Sequence, residues 1–328
     1  MSKDVFYVGV DVGSEEVWAA LPGLKPRRFV HAKRGLLALH CWAKRHAAGA
    51  ILHFCLEGSG VYSVSVASCW VGLPETEVSV VNPAQIAAYA RAQLRRCKTD
   101  QVDAIVIQQF ATTQNPPAWQ PASTTLRQLY ELVQLADQLK AQRQQWQNRR
   151  HARGYIPDLP VAVTKTHQAI IRSLDRQLDH VNQEIKQLCT MTEELAQQVA
   201  LLTTIPGIAQ LSAVQILAYG QNWLTHRTAK QLAAHSGLAP HPKQSGTSLH
   251  SPGSIDRRGN VRLRKALYMP TLVAVQHNPL LRRTYQRLCQ RGKPKKLALV
   301  ACMKKLLLIA RAILITKIPF NPSLSPLT

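Results

Sequence analysis

The sequence predicts an α/β N-terminal domain, a long helical linker of coiled-coil type and a basic α-helical C-terminal domain. Three observations predict it. Short β-rich runs alternate with helix-like runs over residues 1–110, apolar residues recur every seventh position from Leu174 to Leu202, and most of the net positive charge lies in the last third. The 328 residues suffice for two or three domains, and 46% apolar content can fill a sizeable core. The boundaries expected are 1–115, 120–203 and 204–328.

In the first part, Phe6–Val12 is a β-rich run ending in Asp11 and Gly13, with Val17–Leu21 as a hairpin partner. Ile51–Leu56 is closed by Glu57-Gly58, and Val78–Val81 is stopped by Asn82-Pro83. Leu36–Ala48 and Ala84–Leu94 read as helices between and after them. Strands alternating with helices imply a layered α/β structure.

The middle changes character. Leu126–Trp146 carries leucines at helical spacing, and a break follows at Gly154–Pro160. Leu174, Val181, Leu188, Leu195 and Leu202 then stand seven apart, with Leu178, Ile185 and Val199 in the second seam position and Thr192 as its one lapse. This heptad pattern predicts a coiled coil, folded back within the chain or paired between subunits. Beyond it, Ile205-Pro206-Gly207-Ile208 resembles the turn of helix-hairpin-helix modules, which can offer backbone N–H groups to phosphate. His241–Gly259, rich in Pro, Ser and Gly, reads as a loop. Val261–Val275 and Lys295–Ile315 read as helices. Lys304, Lys305 and Arg311 interrupt the apolar run Leu297–Ile315, so a basic amphipathic helix is expected there and no membrane span.

Charge narrows the partner. The formal net charge is +23, and residues 207–328 hold 19 Lys/Arg against one Asp/Glu. Such a region calls for a polyanion, and nucleic acid is the natural one. No secretory pattern opens the chain, and seven scattered cysteines without a C-x-x-C pair suggest neither disulfides nor zinc. A cytoplasmic protein is expected.

Four acids carry the candidate chemistry. Asp11 and Glu57 each end an apolar strand and precede glycine by one or two positions, while Asp100 and Asp103 share one face of a helix. Carboxylates converging on one cleft need cations, and oxygen-only ligands suit Mg2+ or Mn2+. Two such ions can clamp the attacking and leaving oxygens of a phosphodiester.

Gly9-Val10-Asp11-Val12-Gly13, Leu56-Glu57-Gly58-Ser59-Gly60 and Lys98-Thr99-Asp100-Gln101-Val102-Asp103-Ala104 resemble the Asp-Glu-Asp-Asp pattern of the RuvC-like IS110 transposases of bacterial insertion sequences. The resemblance continues through Thr204-Ile205-Pro206-Gly207-Ile208, Gly237-Leu238-Ala239-Pro240, Gln244-Ser245-Gly246, Arg258-Gly259-Asn260 and Leu263-Arg264-Lys265-Ala266-Leu267. Ser59, where Ala or Thr is frequent, and Ala209, where a second glycine is usual, depart from it. The resemblance implies a ribonuclease-H-like N-terminal domain, with Asp11, Glu57, Asp100 and Asp103 holding the metal. It implies that Ser245 attacks DNA to form a covalent phosphoserine link, which conserves phosphodiester energy for rejoining. It also implies a structured bridge RNA that pairs with both target and donor double-stranded DNA, leaving the protein mainly backbone contacts to make. Arg257, Arg258, Asn260, Arg262, Arg264 and Lys265 near the serine, and Lys293, Lys295 and Lys296 beyond it, are the candidate contacts. A site shared between subunits of a dimer or tetramer would reconcile acids and serine lying in different domains. Two rivals are a hydrolytic junction-resolvase-like nuclease using the acids alone, and a non-catalytic nucleic-acid-binding repressor.

Overall fold

The computed structural model describes residues 4–58, 60–94, 99–245, 249–256 and 259–322, and only the backbone of 241–245 and 249–254. The chain divides into two compact units, Met1–Pro121 and Ala122–Thr328.

The first unit is a five-stranded sheet with helices on both faces. Its elements are β1 (Val5–Val12), β2 (Glu16–Ala20), β3 (Arg27–Val30), α1 (Lys33–His46), β4 (Ile51–Glu57), α2 (Val61–Trp70), β5 (Thr76–Val81), α3 (Pro83–Ala92) and α4 (Asp100–Gln114). The strand order is β3-β2-β1-β4-β5, with β1, β4 and β5 parallel and β2 and β3 antiparallel. The period-2 alternation of the strands sorts the side chains. Val8, Val10, Phe54 and Leu56 face α1 and α2, where they pack with Leu39, Trp42 and Trp70. Tyr7, Cys55 and Val81 face the other way, onto Val106, Ile107 and Phe110 of α4. The expected strands and helices of this region all occur. β3 and α2 were not expected: four-residue Arg27–Val30 is too short for a periodic signal, and α2 is nearly apolar all round.

The second unit is helical apart from one strand pair. It comprises α5 (Thr124–Arg153), α6 (Val161–Met191), α7 (Glu193–Thr203), α8 (Gln210–Gly220), α9 (Trp223–His226), α10 (Ala229–His235), β6 (His241–Ser245), β7 (Leu249–Ser254), α11 (Val261–His277), α12 (Pro279–Gln290) and α13 (Lys295–Thr316). The break after Arg153 turns α6 back along α5. Leu178, Val181 and Ile185 of the heptad seam are buried in one core with Leu129, Val133 and Ala136 of α5. Thr192, the lapse in the seam, ends α6 and begins α7. The same core runs on through α8, α11 and α13, so the long helices and the C-terminal helices are one packed body.

Three expectations are corrected. His241–Gly259 is not a loop: β6 and β7 form an antiparallel hairpin, irregular between His241 and Lys243. A two-stranded ribbon has only edge strands, which tolerate Pro242 and Pro252, so composition hid it. The turn at Ile205–Ile208 faces inward: Ile205 and Ile208 are buried, and Gly207, at φ +106°, lies against Ala274 of α11. It is a packing turn, not a phosphate-presenting one. Finally, α13 is a central core helix, burying residues on several faces from Ala298 to Leu314. Two of its cations are tethered: Arg311 donates twice to the Arg227 carbonyl and Lys305 to Thr284 Oγ1. Among the described residues no helix is long and apolar enough to cross a membrane.

Candidate active site and nucleic-acid interface

The four acids meet at one edge of the sheet. Val10 and Leu56 are register partners in the parallel pair β1/β4, so Asp11 and Glu57 follow side by side at the carboxyl ends of neighbouring strands. By alternation both point to the α4 side. Helix α4 begins there, capped by Thr99, whose hydroxyl accepts from Val102 N at 3.3 Å. Asp100 and Asp103 lie in its first turn, where the helix dipole favours negative charge. Gly9 allows this approach. A Cβ there would overlap the Ala104 carbonyl and the Gln108 amide, so the backbone of α4 rests directly on β1.

The electrostatics register the convergence. The Asp11 carboxyl is pushed up to about 6 by burial and then by Asp103, Asp100 and Glu57, against a lowering hydrogen bond from the Val12 amide. Among the described residues, no group of three or more His, Cys, Asp or Glu side chains stands in metal-holding geometry. The acids are near enough for the charges of Asp103, Asp100 and Glu57 to act on Asp11. An all-oxygen set whose mutual repulsion raises a pKa fits a hard divalent cation better than any neutral ligand.

Two side chains at this edge escaped the sequence reading. His31 Nδ1 lies 2.8 Å from the Gly13 carbonyl, two residues beyond Asp11. Its ring meets that of Tyr62 edge-on at 5.8 Å, and Tyr62 is largely exposed, five residues beyond Glu57. No spacing rule joins residues 13, 31 and 62; only the folded sheet edge does.

Ser245 ends β6, paired with Leu249 across the hairpin. The base of the hairpin is clamped. Gly237 and Gly259 touch backbone to backbone, so a Cβ on Gly259 would overlap Gly237, and Asp256 N donates to the Gly237 carbonyl at 3.3 Å. Asn260 caps α11 through Leu263 N at 3.0 Å while its Nδ2 donates to the Tyr219 carbonyl at 3.0 Å. Arg264 Nη1 donates to the Ser236 carbonyl at 2.8 Å.

Comparison with known proteins shows the family. Residues 8–153 match a family described as a transposase of the IS110 Asp-Glu-Asp-Asp type, and residues 199–286 match the transposase IS116/IS110/IS902 family. The pilin gene-inverting protein of Moraxella bovis is 32% identical over 326 residues, 98% of each chain. The chain belongs to the IS110 transposase family. The pilin gene-inverting protein of Moraxella lacunata is similar to the same extent, and an uncharacterised IS110 protein of Streptomyces coelicolor is 29% identical over 46% of this chain and 38% of its own. The transposase's N-terminal α/β unit, with its 3-2-1-4-5 sheet, is thus the RuvC-like, ribonuclease-H-like domain of this family of DNA-recombining enzymes.

The transposase's candidate nucleic-acid contacts divide into four sets. Arg257 and Arg258 lie outside the described residues. Asn260 and Arg264 are committed to the hairpin base, and burial lowers the Arg264 pKa. Arg262 is exposed, but its guanidinium donates to Tyr130 Oη at 2.6 Å and to Gln134 Oε1, and lies 5.8 Å over the Tyr130 ring. Lys265, Lys293, Lys295 and Lys296 are exposed. The acids and Ser245 belong to different units of the transposase.

Proposed function

We propose that this transposase cuts and rejoins double-stranded DNA of its target and donor, using Asp11, Glu57, Asp100 and Asp103 to hold Mg2+ or Mn2+ and Ser245 as nucleophile. The observation that carries the reading is the Asp11 carboxyl, raised to about 6 by burial among three other acids. A carboxylate cluster this costly is retained where a cation and a phosphodiester complete it. The ion, when bound, neutralises the acids and polarises the phosphate. Ser245 Oγ bonds to phosphorus as the bridging P–O bond to one deoxyribose breaks, the serine proton passing to the released sugar oxygen. The reverse attack by a second sugar hydroxyl restores a phosphodiester and frees the serine, so no ATP is needed. The names of the Moraxella relatives speak of inverting a pilin gene, and the same break-and-rejoin chemistry serves inversion and insertion alike.

In this reading the enzyme works in the cytoplasm, a structured bridge RNA supplies target and donor sequence by base pairing, and the cations meet its backbone and that of DNA. The N-terminal unit supplies the acids, the long helices connect, and the basic C-terminal region supplies the serine. A homo-oligomer, dimer or tetramer, joins the acids of one subunit to Ser245 of another. Because Val181 and Ile185 are buried within the chain, assembly uses surfaces other than the heptad seam.

The test is a suicide DNA substrate, nicked so that rejoining fails. In Mg2+ it is expected to trap a protein–DNA adduct with phosphate on Ser245, lost in Ser245→Ala. Cleavage by Ser245→Ala at the wild-type rate would overturn the serine mechanism in favour of a hydrolytic nuclease.

A further inference from the structure

The second unit carries a groove that the acids and Ser245 do not use. It lies among α11, α12 and α13, has a volume of about 530 Å3, and is floored by Leu272 and Leu299 with the ring of Tyr285 in its wall. Arg282, Lys295 and Lys296 stand at its rim, and no acidic side chain lines it. The three cations are exposed and none makes a hydrogen bond or ion pair with a described residue. No acid close by in the chain serves them: Asp256 is the one acid of residues 207–328, and it sits at the hairpin base. Lys295 and Lys296 occupy the first turn of α13, where positive charge gains nothing from the helix dipole. An anion held between them and Arg282 would offset this and their mutual repulsion.

We infer that this groove binds single-stranded nucleic acid, taking an unstacked base against Tyr285 and the apolar floor while Arg282, Lys295 and Lys296 hold the adjoining phosphates. A duplex offers its phosphates on a convex surface with the bases stacked inside, so it would leave the aromatic wall and apolar floor without partners. A single strand offers charge and an open π-face together, which is the pairing that stacking platforms in basic grooves use. The volume falls within the range of about 300–1,000 Å3 usual for clefts that enclose small organic groups. The inference rests on the reading of this chain as a nucleic-acid recombinase, but on neither the metal nor the serine. Strand exchange exposes single strands, and the groove gives one of them a place to be held.

The test uses the full chain in EDTA, with fluorescence anisotropy of a labelled 12-mer oligothymidylate and of a duplex of equal length. Tyr285→Leu is expected to weaken binding of the single strand about tenfold and that of the duplex less than twofold, with Tyr285→Phe close to wild type. The triple variant Arg282→Ala, Lys295→Ala, Lys296→Ala is expected to flatten the slope of log K against log salt by about 2 for the single strand. Lys186→Ala, exposed on α6, serves as control. Thermal melting checks that each variant is folded. Single-strand binding unchanged in folded Tyr285→Leu and in the triple variant overturns the inference, as does an equal loss for single strand and duplex. Displacement of the oligonucleotide by polyglutamate at equal charge concentration would also overturn it, by making the groove a site for acidic peptide. A wild-type protein that binds oligothymidylate through the groove but never cuts DNA would overturn the recombinase reading instead.

Discussion

Asp11→Asn should inactivate the enzyme and at the same time stabilise its metal-free fold. The substitution keeps the shape of the side chain and an acceptor for the Val12 amide, but removes the charge that burial, Asp103, Asp100 and Glu57 oppose. The rise from 3.8 to about 6 corresponds to about 3 kcal/mol at pH 7, and solvent screening of a half-buried carboxyl reduces this to about 2 kcal/mol. The sign follows from proton uptake. The unfolded carboxyl ionises through 3.8 and the folded one only through about 6, so wild-type stability falls as pH rises between those values and stays low above them. The assay is urea unfolding in EDTA, followed by tryptophan fluorescence, to which Trp18, Trp42, Trp70 and Trp119 of the first unit contribute. At pH 7 the variant's midpoint is expected about 1 M higher in urea, and below pH 4 the two should coincide. Adding Mg2+ should raise the wild type toward the variant and leave the variant nearly unmoved, since binding stabilises only the form that binds. DNA cleavage should be lost throughout. A variant less stable than wild type in EDTA at pH 7, or a difference that does not vary with pH, would refute the reasoning and make Asp11 an ordinary structural acid.

Two further outcomes follow from packing and burial. Gly9→Ala places a methyl group inside the backbone of α4; it should cost several kcal/mol, about 3 or more, and abolish cleavage, read by the same urea titration, and a wild-type midpoint would show that α4 does not rest on β1. His235, stacked on Trp223 at 3.9 Å, is driven down to about 4 by burial. The unfolded imidazole takes up its proton near 6.5 and the folded one only near 4, so stability of the second unit is intact above 6.5 and falls by at most about 3 kcal/mol as pH drops to 4. His235→Gln should remove that part of the pH dependence, measured by melting between pH 4 and 7.

Much of the N-terminal unit is legible in the sequence because its features are local. The β-rich runs before Asp11 and Glu57, and the spacing of Asp100 and Asp103, need only strand and helix periodicity. The hairpin β6/β7 is different. Backbone pairing holds it and its base is fixed by Gly237, Gly259 and Asn260, so its proline- and serine-rich composition reads as loop. Likewise Leu297–Ile315 has the hydropathy of several possible surroundings, and only the presence of α7, α10, α11 and α12 around it makes it a core helix.

The sequence by itself determined the layered α/β start, the identity of the four acids, the heptad repeat and the concentration of charge in residues 207–328, because each is a property of residue type and short-range spacing. Tertiary structure alone decided that the acids share one space, through the parallel register of β1 and β4 and the bare backbone of Gly9 under α4. It decided too that the heptad seam is consumed within the chain and that Arg282, Tyr285, Lys295 and Lys296 line one groove. These depend on contacts between segments far apart in the chain. A side chain's charge or hydropathy states what it needs, but which distant segment meets that need is fixed only when the whole core closes at a packing density that leaves one arrangement.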